Sequence, residues 1–340
     1  MSFFAVLLAL LLEQVKPLPR RNVVHDSLAS WVGWTGRNFD AGKPEHAKVV
    51  WIITVIAPAL LTAAVYLGIR TLCLRAYSPF AAMFFSVLFD VVVLYLTLGF
   101  RQFSHYFTDI RAALERGDEL EARQLLAEWR HLDASELPRT ELLRHVIEHS
   151  LLAAHRHVFG VFFSFVVFSA LGLGPAGAVL YRMAEFASRY WAFRSKSLDT
   201  PINENLMLLS RRLFGIIDHV PARLTAFGFA VVGNFQDALD GWKRDAGLWK
   251  HANEGVILAA AAGAVGVQLG GSAAPGVTPD RSKTFGQGSA AAEAEGSTTQ
   301  GVPPQLGHLG IVVGLVWRSV VLWMLLVAIL KLANLLGGGN

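Results

Sequence analysis

The chain has 340 residues, of which 53% are apolar and 16% charged, with a small excess of Lys and Arg and a positive mean hydropathy. So few charges, against roughly 25% in soluble domains, mark a membrane protein. The mild basic excess follows the bias of cytoplasmic loops and, with no recognition motif, gives no case for nucleic acid as a partner. Cys73 is the one cysteine, which rules out an internal disulfide and any cysteine-rich zinc site.

Residues 1–12 are apolar, but no basic residue precedes them and no small-residue cleavage site follows, so they do not read as a cleaved signal peptide. They also fall short of the ~20 residues that a crossing needs. Part of a span, an interfacial helix and a retained anchor all stay open. Residues 13–47 interleave Lys16, Arg20, Arg21, Arg37 and Lys43 with Trp31 and Trp34, the pattern of a membrane–water interface. The first span is 49–69, uncharged and containing Pro58, which neighbouring helices can accommodate. The second, 80–100, holds Asp90 in mid-span. A carboxyl at that depth should face protein or water, either as a functional group or as a neutral or paired structural one.

Residues 101–155 turn polar. Amphipathic helices are expected over 102–115 and 119–131, separated by Arg116-Gly117-Asp118, a glycine stop and an acidic start. Pro138 closes this unit, and a third helix starts near Thr140 and runs into the apolar stretch 158–170. Gly172-Leu173-Gly174-Pro175-Ala176-Gly177 then breaks the chain, and a helix resumes over 178–193 with Arg182, Glu185 and Arg189. A short apolar helix, a Gly/Pro break and a mixed helix predict a re-entrant or buried hairpin over 158–190, because irregular backbone at membrane depth needs protein or a cavity around it. Such a hairpin keeps the basic residues of 183–250 on the same cytoplasmic side as the basic segments flanking the first two spans. Residues 251–271 are rich in Ala and Gly and suit close helix packing. Residues 272–304 form a flexible low-complexity insertion. The last span covers about 311–334, with Trp317 and Arg318 near its start. The expected fold is all-α: a polytopic membrane protein with three to five transmembrane helices, the hairpin, and a cytoplasmic helical portion over 101–155.

Three motifs bear on chemistry. His145-Val146-Ile147-Glu148-His149 is an H-x-x-E-H pattern, with two His on one helical face and a Glu able to activate a metal-bound water. No distal third ligand is identified, and solvated or capping histidines on a basic helix give the same pattern. Gly172-x-Gly174-x-x-Gly177 matches G-x-G-x-x-G, but no strand precedes it, so it reads as a helical-hairpin turn. The stretch from Arg211 to Thr225 places Asp218, His219 and Arg223 around Pro221 in apolar surroundings. Arg223 can clamp a phosphate or carboxylate in bidentate fashion, and Asp218 can pair with it or bind a metal. An Asp–Arg pair pinning a broken helix is the structural alternative.

Residues 213–226, with Asp218 and Pro221-Ala222-Arg223-Leu224-Thr225, resemble the CobD/CbiB family of membrane proteins, which includes AmpE-like proteins. Asn253-Glu254-Gly255 through Gly270-Gly271, and Leu173-Gly174-Pro175-Ala176-Gly177-Ala178 followed by Tyr181-Arg182, add to the resemblance, in the right order across most of residues 140–271. It implies one CobD/CbiB-like domain over the whole chain, in a bacterial inner membrane. The family's enzymes are adenosylcobinamide-phosphate synthases, which join adenosylcobyric acid to an aminopropanol phosphate in an ATP-dependent amide synthesis. Several of their polar groups have no counterpart here. Their Glu-Asn-Thr-Val-Asp segment falls on Ala154-His155-Arg156-His157-Val158, an Asn and an Asp on Glu185 and Ser188, and a Glu and an Arg on Leu258 and Gln268. Their early Asp-Pro signature is missing from residues 1–47. These departures, and the start from Phe3 to Glu13, point to the AmpE-like branch: a non-catalytic or divergent regulator or ligand-binding protein without a cofactor. The alternative is the synthase itself, with ATP and Mg; a zinc hydrolase through His145, Glu148 and His149 is a distant third. The ligand-binding candidates are Asp218, Arg223, Arg182, Glu185 and Asn253. The bilayer is one partner; a small ligand, a membrane partner and a homo-oligomer stay open.

Overall fold

The computed structural model describes residues 2–15, 23–40, 42–76, 78–130, 133–195, 203–271 and 298–337. Among them the chain is helical, as expected, apart from two isolated bridges, Val267–Val302 and Gly270–Thr298. The helices are α1 Ser2–Val15, α2 Val23–Phe39, α3 Pro44–Trp51, α4 Ala57–Ala76, α5 Pro79–Thr97, α6 Phe100–Glu115, α7 Glu119–Arg130, α8 Arg139–Ala154, α9 Gly160–Ala170, α10 Ala176–Arg194, α11 Glu204–Ile217, α12 His219–Val232, α13 Phe235–Asp245, α14 Ala252–Val265 and α15 Leu306–Gly337.

Four stretches are long and apolar enough to cross a membrane: Pro44–Ala76, Pro79–Thr97, Arg139–Ala170 and Leu306–Leu330, with a fifth if α11 and α12 make one broken span. The chain is therefore a multi-pass membrane protein. Two of these helices contain a π turn, Ile52–Ile56 between α3 and α4 and His155–Phe159 between α8 and α9. The expected third helix and the apolar run after it thus form one helix from Arg139 to Ala170, since no proline or turn glycine interrupts them. The first arm of the expected hairpin is the end of a helix long enough to cross on its own. Local chemistry sets several boundaries. Ser78 caps α5 by accepting the Ala81 N–H at 3.1 Å, with Pro79 opening the helix. Gly117 takes φ +81° between α6 and α7, and Asp118 Oδ1 accepts the Glu121 N–H at 2.9 Å.

The chain divides into two compact units. The first comprises residues 1–102, 156–218 and 326–340. In it α10 packs against α2, α4, α5, α9 and α11, around a core that includes Val32, Val50, Trp51, Met183 and Trp191. The α9–α10 contact is close. A Cβ on Gly177 would lie 2.1 Å from the Ser164 carbonyl oxygen, and one on Gly160 would lie 2.0 Å from the Tyr181 ring. The second unit comprises residues 103–155 and 219–325. Here α12, α13 and α14 pack together around Ala226, Val256 and Ala260. The small residues of α14 permit this: a Cβ on Gly263 would lie 2.1 Å from the Asp237 carbonyl oxygen on α13. Residues 272–297 of the expected insertion lie outside the described residues. Its end is held in place: Gln268 N–H donates to Val302 O at 2.9 Å, and Thr299 N–H to Leu269 O at 2.9 Å.

Candidate functional site

Helix α10 carries Tyr181, Arg182, Glu185 and Arg189 within three turns, and the spacing brings Arg182, Glu185 and Arg189 onto one face. All of these but Arg189 are buried. Glu185 is fully buried, and Arg182 Nη1 donates to its Oε2 at 3.0 Å. Arg189 Nη2 donates to the same oxygen at 3.1 Å, and Arg189 Nε pairs with Oε1. One carboxylate thus holds two guanidinium groups, the fixed geometry that suits arginine better than lysine.

The π turn supplies the next layer. Arg182 Nη1 lies 2.8 Å from His157 Nδ1. Arginine only donates, so Nδ1 accepts and the proton of a neutral ring is on Nε2. Arg156, also in the π turn, lies close enough for its charge to reach Tyr181 and Arg189. The Tyr181 hydroxyl donates to Asp218 Oδ1 at 2.7 Å. Burial and the Asp218 carboxylate hold this hydroxyl well above the ordinary tyrosine range, so it stays a donor at neutral pH. Partial loss of hydration pulls the half-buried Arg189 below the usual arginine range, with Glu185 opposing. The network sets Arg156, Arg182 and Arg189 against Glu185 and Asp218. Guanidinium groups gathered in this way suit a phosphate or carboxylate ligand.

The sequence candidates therefore fall into two groups. Arg182, Glu185 and Asp218 belong to the first unit, where Tyr181 joins Asp218 to the α10 network. Asp218 ends α11, its N–H bonded to Phe214 O at 2.8 Å, and α12 starts at His219. Arg223 and Asn253 belong to the second unit. Arg223 Nη1 donates to Asn253 Oδ1 at 3.2 Å and to the His219 carbonyl at 2.8 Å, tying α12 to the start of α14. Nearby, His155 Nδ1 lies 2.9 Å from Thr225 Oγ1. Tyr181, Arg156, His157 and Arg189 were not singled out from the sequence as site residues. The signal available was charge and aromatic hydroxyl placed within strongly apolar helices.

The H-x-x-E-H residues go separate ways. His145 Nδ1 accepts from Arg130 Nη1 at 2.8 Å, and His149 meets the Trp129 ring edge-on at 4.5 Å. Glu148 Oε1 accepts the Gly270 N–H at 2.8 Å, beside Arg144, which donates to Gly270 O and to Gly271 O. Glu148 and Arg144 thus anchor the turn after α14. Among the described residues no three His, Cys, Asp or Glu side chains gather where they could hold a metal ion.

A family model described as CobD/Cbib protein matches residues 2–301. The cobalamin biosynthesis protein CobD of Stutzerimonas stutzeri (strain A1501) is 30% identical over 333 residues, covering 95% of this chain and 96% of that relative. The protein of the same name from Chromobacterium violaceum is 31% identical over 214 residues, 62% of this chain and 64% of that relative. That from Leptospira interrogans serovar Lai is 25% identical over 221 residues, 60% and 67% respectively. No solved structure matches. These relatives are named for cobalamin biosynthesis, and their names do not speak for the AmpE-like branch.

Proposed function

The chain belongs to the CobD/CbiB family, and from that premise we propose that it works in cobalamin biosynthesis as the amide-forming synthase. It would join adenosylcobyric acid to an aminopropanol phosphate, with ATP cleavage driving the condensation. The observation that carries this reading is the alignment, end to end, with a relative named for cobalamin biosynthesis. It moves the preference away from the regulator favoured by the missing polar groups. The α10 network fits the chemistry. The substrates bring phosphates and carboxylates, and Arg182 and Arg189, oriented by Glu185, with Arg156 nearby, offer guanidinium groups to receive them. Magnesium would enter with ATP, because it binds mostly through phosphates and water and needs few protein ligands. The chain itself offers no dedicated cage among the described residues. The working location is the bacterial inner membrane, with the basic segments on the cytoplasmic side.

Rescue of a synthase-deficient strain tests this. The wild-type chain should restore growth that depends on cobalamin made from supplied adenosylcobyric acid. Arg182→Ala should not, at equal abundance in the membrane. A wild-type chain that is abundant yet fails to rescue would favour the second reading, a divergent regulator that binds an anionic ligand without turnover. His155-Arg156-His157 favours that reading, since it sets basic residues where the enzymes carry an acidic segment.

A further inference from the structure

Arg318 is the central residue of Leu306–Leu330, the 25-residue apolar stretch of α15 that is long enough to cross a membrane. One side of this helix is packed within the protein, where Leu309, Val312, Val316 and Val320 are buried. Arg318 lies on the opposite side and is exposed, in line with Ile311 and Leu325, each about half exposed. Its Nε donates to the Gly314 carbonyl oxygen at 3.2 Å, which lays the side chain back toward the start of the helix. Among the described residues that is its one side-chain hydrogen bond, and no carboxylate pairs with it. The N–H groups on Nη1 and Nη2 therefore face the surroundings of the helix. Gly310 and Gly314 lie on the same side, and a Cβ on either would meet nothing within 4 Å. No side chain covers the helix at these two positions, between Arg318 and the start of the span.

We propose that Arg318, with the open surface at Gly310 and Gly314, binds the phosphate of an anionic phospholipid, at a site separate from the α10 arginine network. An arginine at mid-bilayer on an outward helix face is costly, and the cost falls when the side chain reaches toward the interface and the bilayer yields around it. Both conditions are met here. The side chain runs toward the start of the span, and the two glycines leave room for a headgroup to descend beside the helix. Lipid borders an outward face of a span, and a guanidinium presents paired N–H donors that match phosphate oxygens. One phosphodiester balances one guanidinium, whereas a zwitterionic headgroup brings its own competing ammonium. A second copy of α15 packed on this face would set two arginines against each other at the same depth, so the charge favours lipid.

The experiment is thermal unfolding of the purified full-length protein in detergent supplemented with phosphatidylglycerol or, at equal mole fraction, phosphatidylcholine. Phosphatidylglycerol should raise the midpoint by at least about 3 °C over phosphatidylcholine, since a ligand bound only by the folded state stabilises it. Arg318→Leu should abolish the difference. Gly314→Leu, which fills the open surface and keeps the arginine, should reduce it by at least half. Should Arg318→Leu fail to fold, Gly314→Leu carries the comparison alone. Equal midpoints in the two lipids for the wild type would overturn the site, and so would a shift that survives both substitutions. A wild-type dimer, seen by size exclusion in the same detergent, that Arg318→Leu or Gly314→Leu turns into a monomer would overturn it too, by giving this face to a second copy.

Discussion

Glu185 is fully buried and meets Arg182 and Arg189 together, so replacing it by alanine strands two guanidinium groups in a setting that solvates them poorly. Arg189 keeps partial access to solvent, which softens the penalty. Glu185→Ala is therefore expected to cost about 3 kcal/mol, the low end for breaking a buried pair, read as a lowered unfolding midpoint. Tyr181→Phe removes the hydroxyl that donates to Asp218 and should cost about 1.5–3 kcal/mol, the range for a hydrogen bond to a charged group. Asp218→Ala and Arg223→Ala should each impair function or folding more than His145→Ala, measured as rescue of a synthase-deficient strain together with membrane abundance. Equal tolerance at all three positions would undo the site assignment. The sequence made Arg182 and Glu185 legible because they are charges three residues apart in an apolar helix. It could not reveal the Tyr181–Asp218 bond, which joins separate helices, nor that Glu148 is committed to the distant Gly270 N–H. Local spacing showed a metal motif where tertiary structure uses the same residues to hold a turn.

Helix boundaries were the most legible feature, for chemical reasons. Gly117 and the Gly172–Pro175 turn separate helices, Pro138 opens α8, and hydropathy alone marked α4, α5 and α15. The two π turns were not legible, because inserting one residue into a helix leaves the hydrophobic pattern nearly intact. Close helix packing was foreseen for residues 251–271 from their small side chains, but its contact points come only from the structure. Gly263→Leu would drive a side chain into the backbone of α13 at Asp237 and should lower the yield of folded protein sharply. Gly307→Leu, where a Cβ meets nothing within 4 Å, should be tolerated. Size-exclusion profiles of the two variants in detergent check the contrast. Gly160→Ala gives a graded version, pressing on the Tyr181 ring and weakening its bond to Asp218 without removing either group.

At the scale of the whole molecule, the topology rests on charge. Basic residues flank the first two spans, and the amphipathic helices α6 and α7 follow the second. These helices should lie in the cytoplasm. The single cysteine makes this easy to examine. With Cys73→Ser as background, Arg116→Cys between α6 and α7 should resist a membrane-impermeant thiol reagent in intact spheroplasts and react after lysis. Labelling in intact spheroplasts would place this segment outside and reverse the orientation. Composition revealed the membrane and the approximate spans. It could not reveal which helices associate, because lipid-facing and helix-facing apolar surfaces are built from the same residue types.

The end of the low-complexity insertion has a practical consequence. Gly270 and Thr298 bridge one another, and Thr299 is bonded to Leu269, so the backbone on either side of residues 272–297 is brought together. A reporter whose own termini lie close together could replace residues 272–297 without pulling the two sides apart. The position is thus a natural port for a fluorescent protein or an affinity handle, away from both chain ends. The same geometry suits expression as two fragments, one ending after Gly271 and the other starting before Thr298, with the bridged backbone at the port serving as the splice.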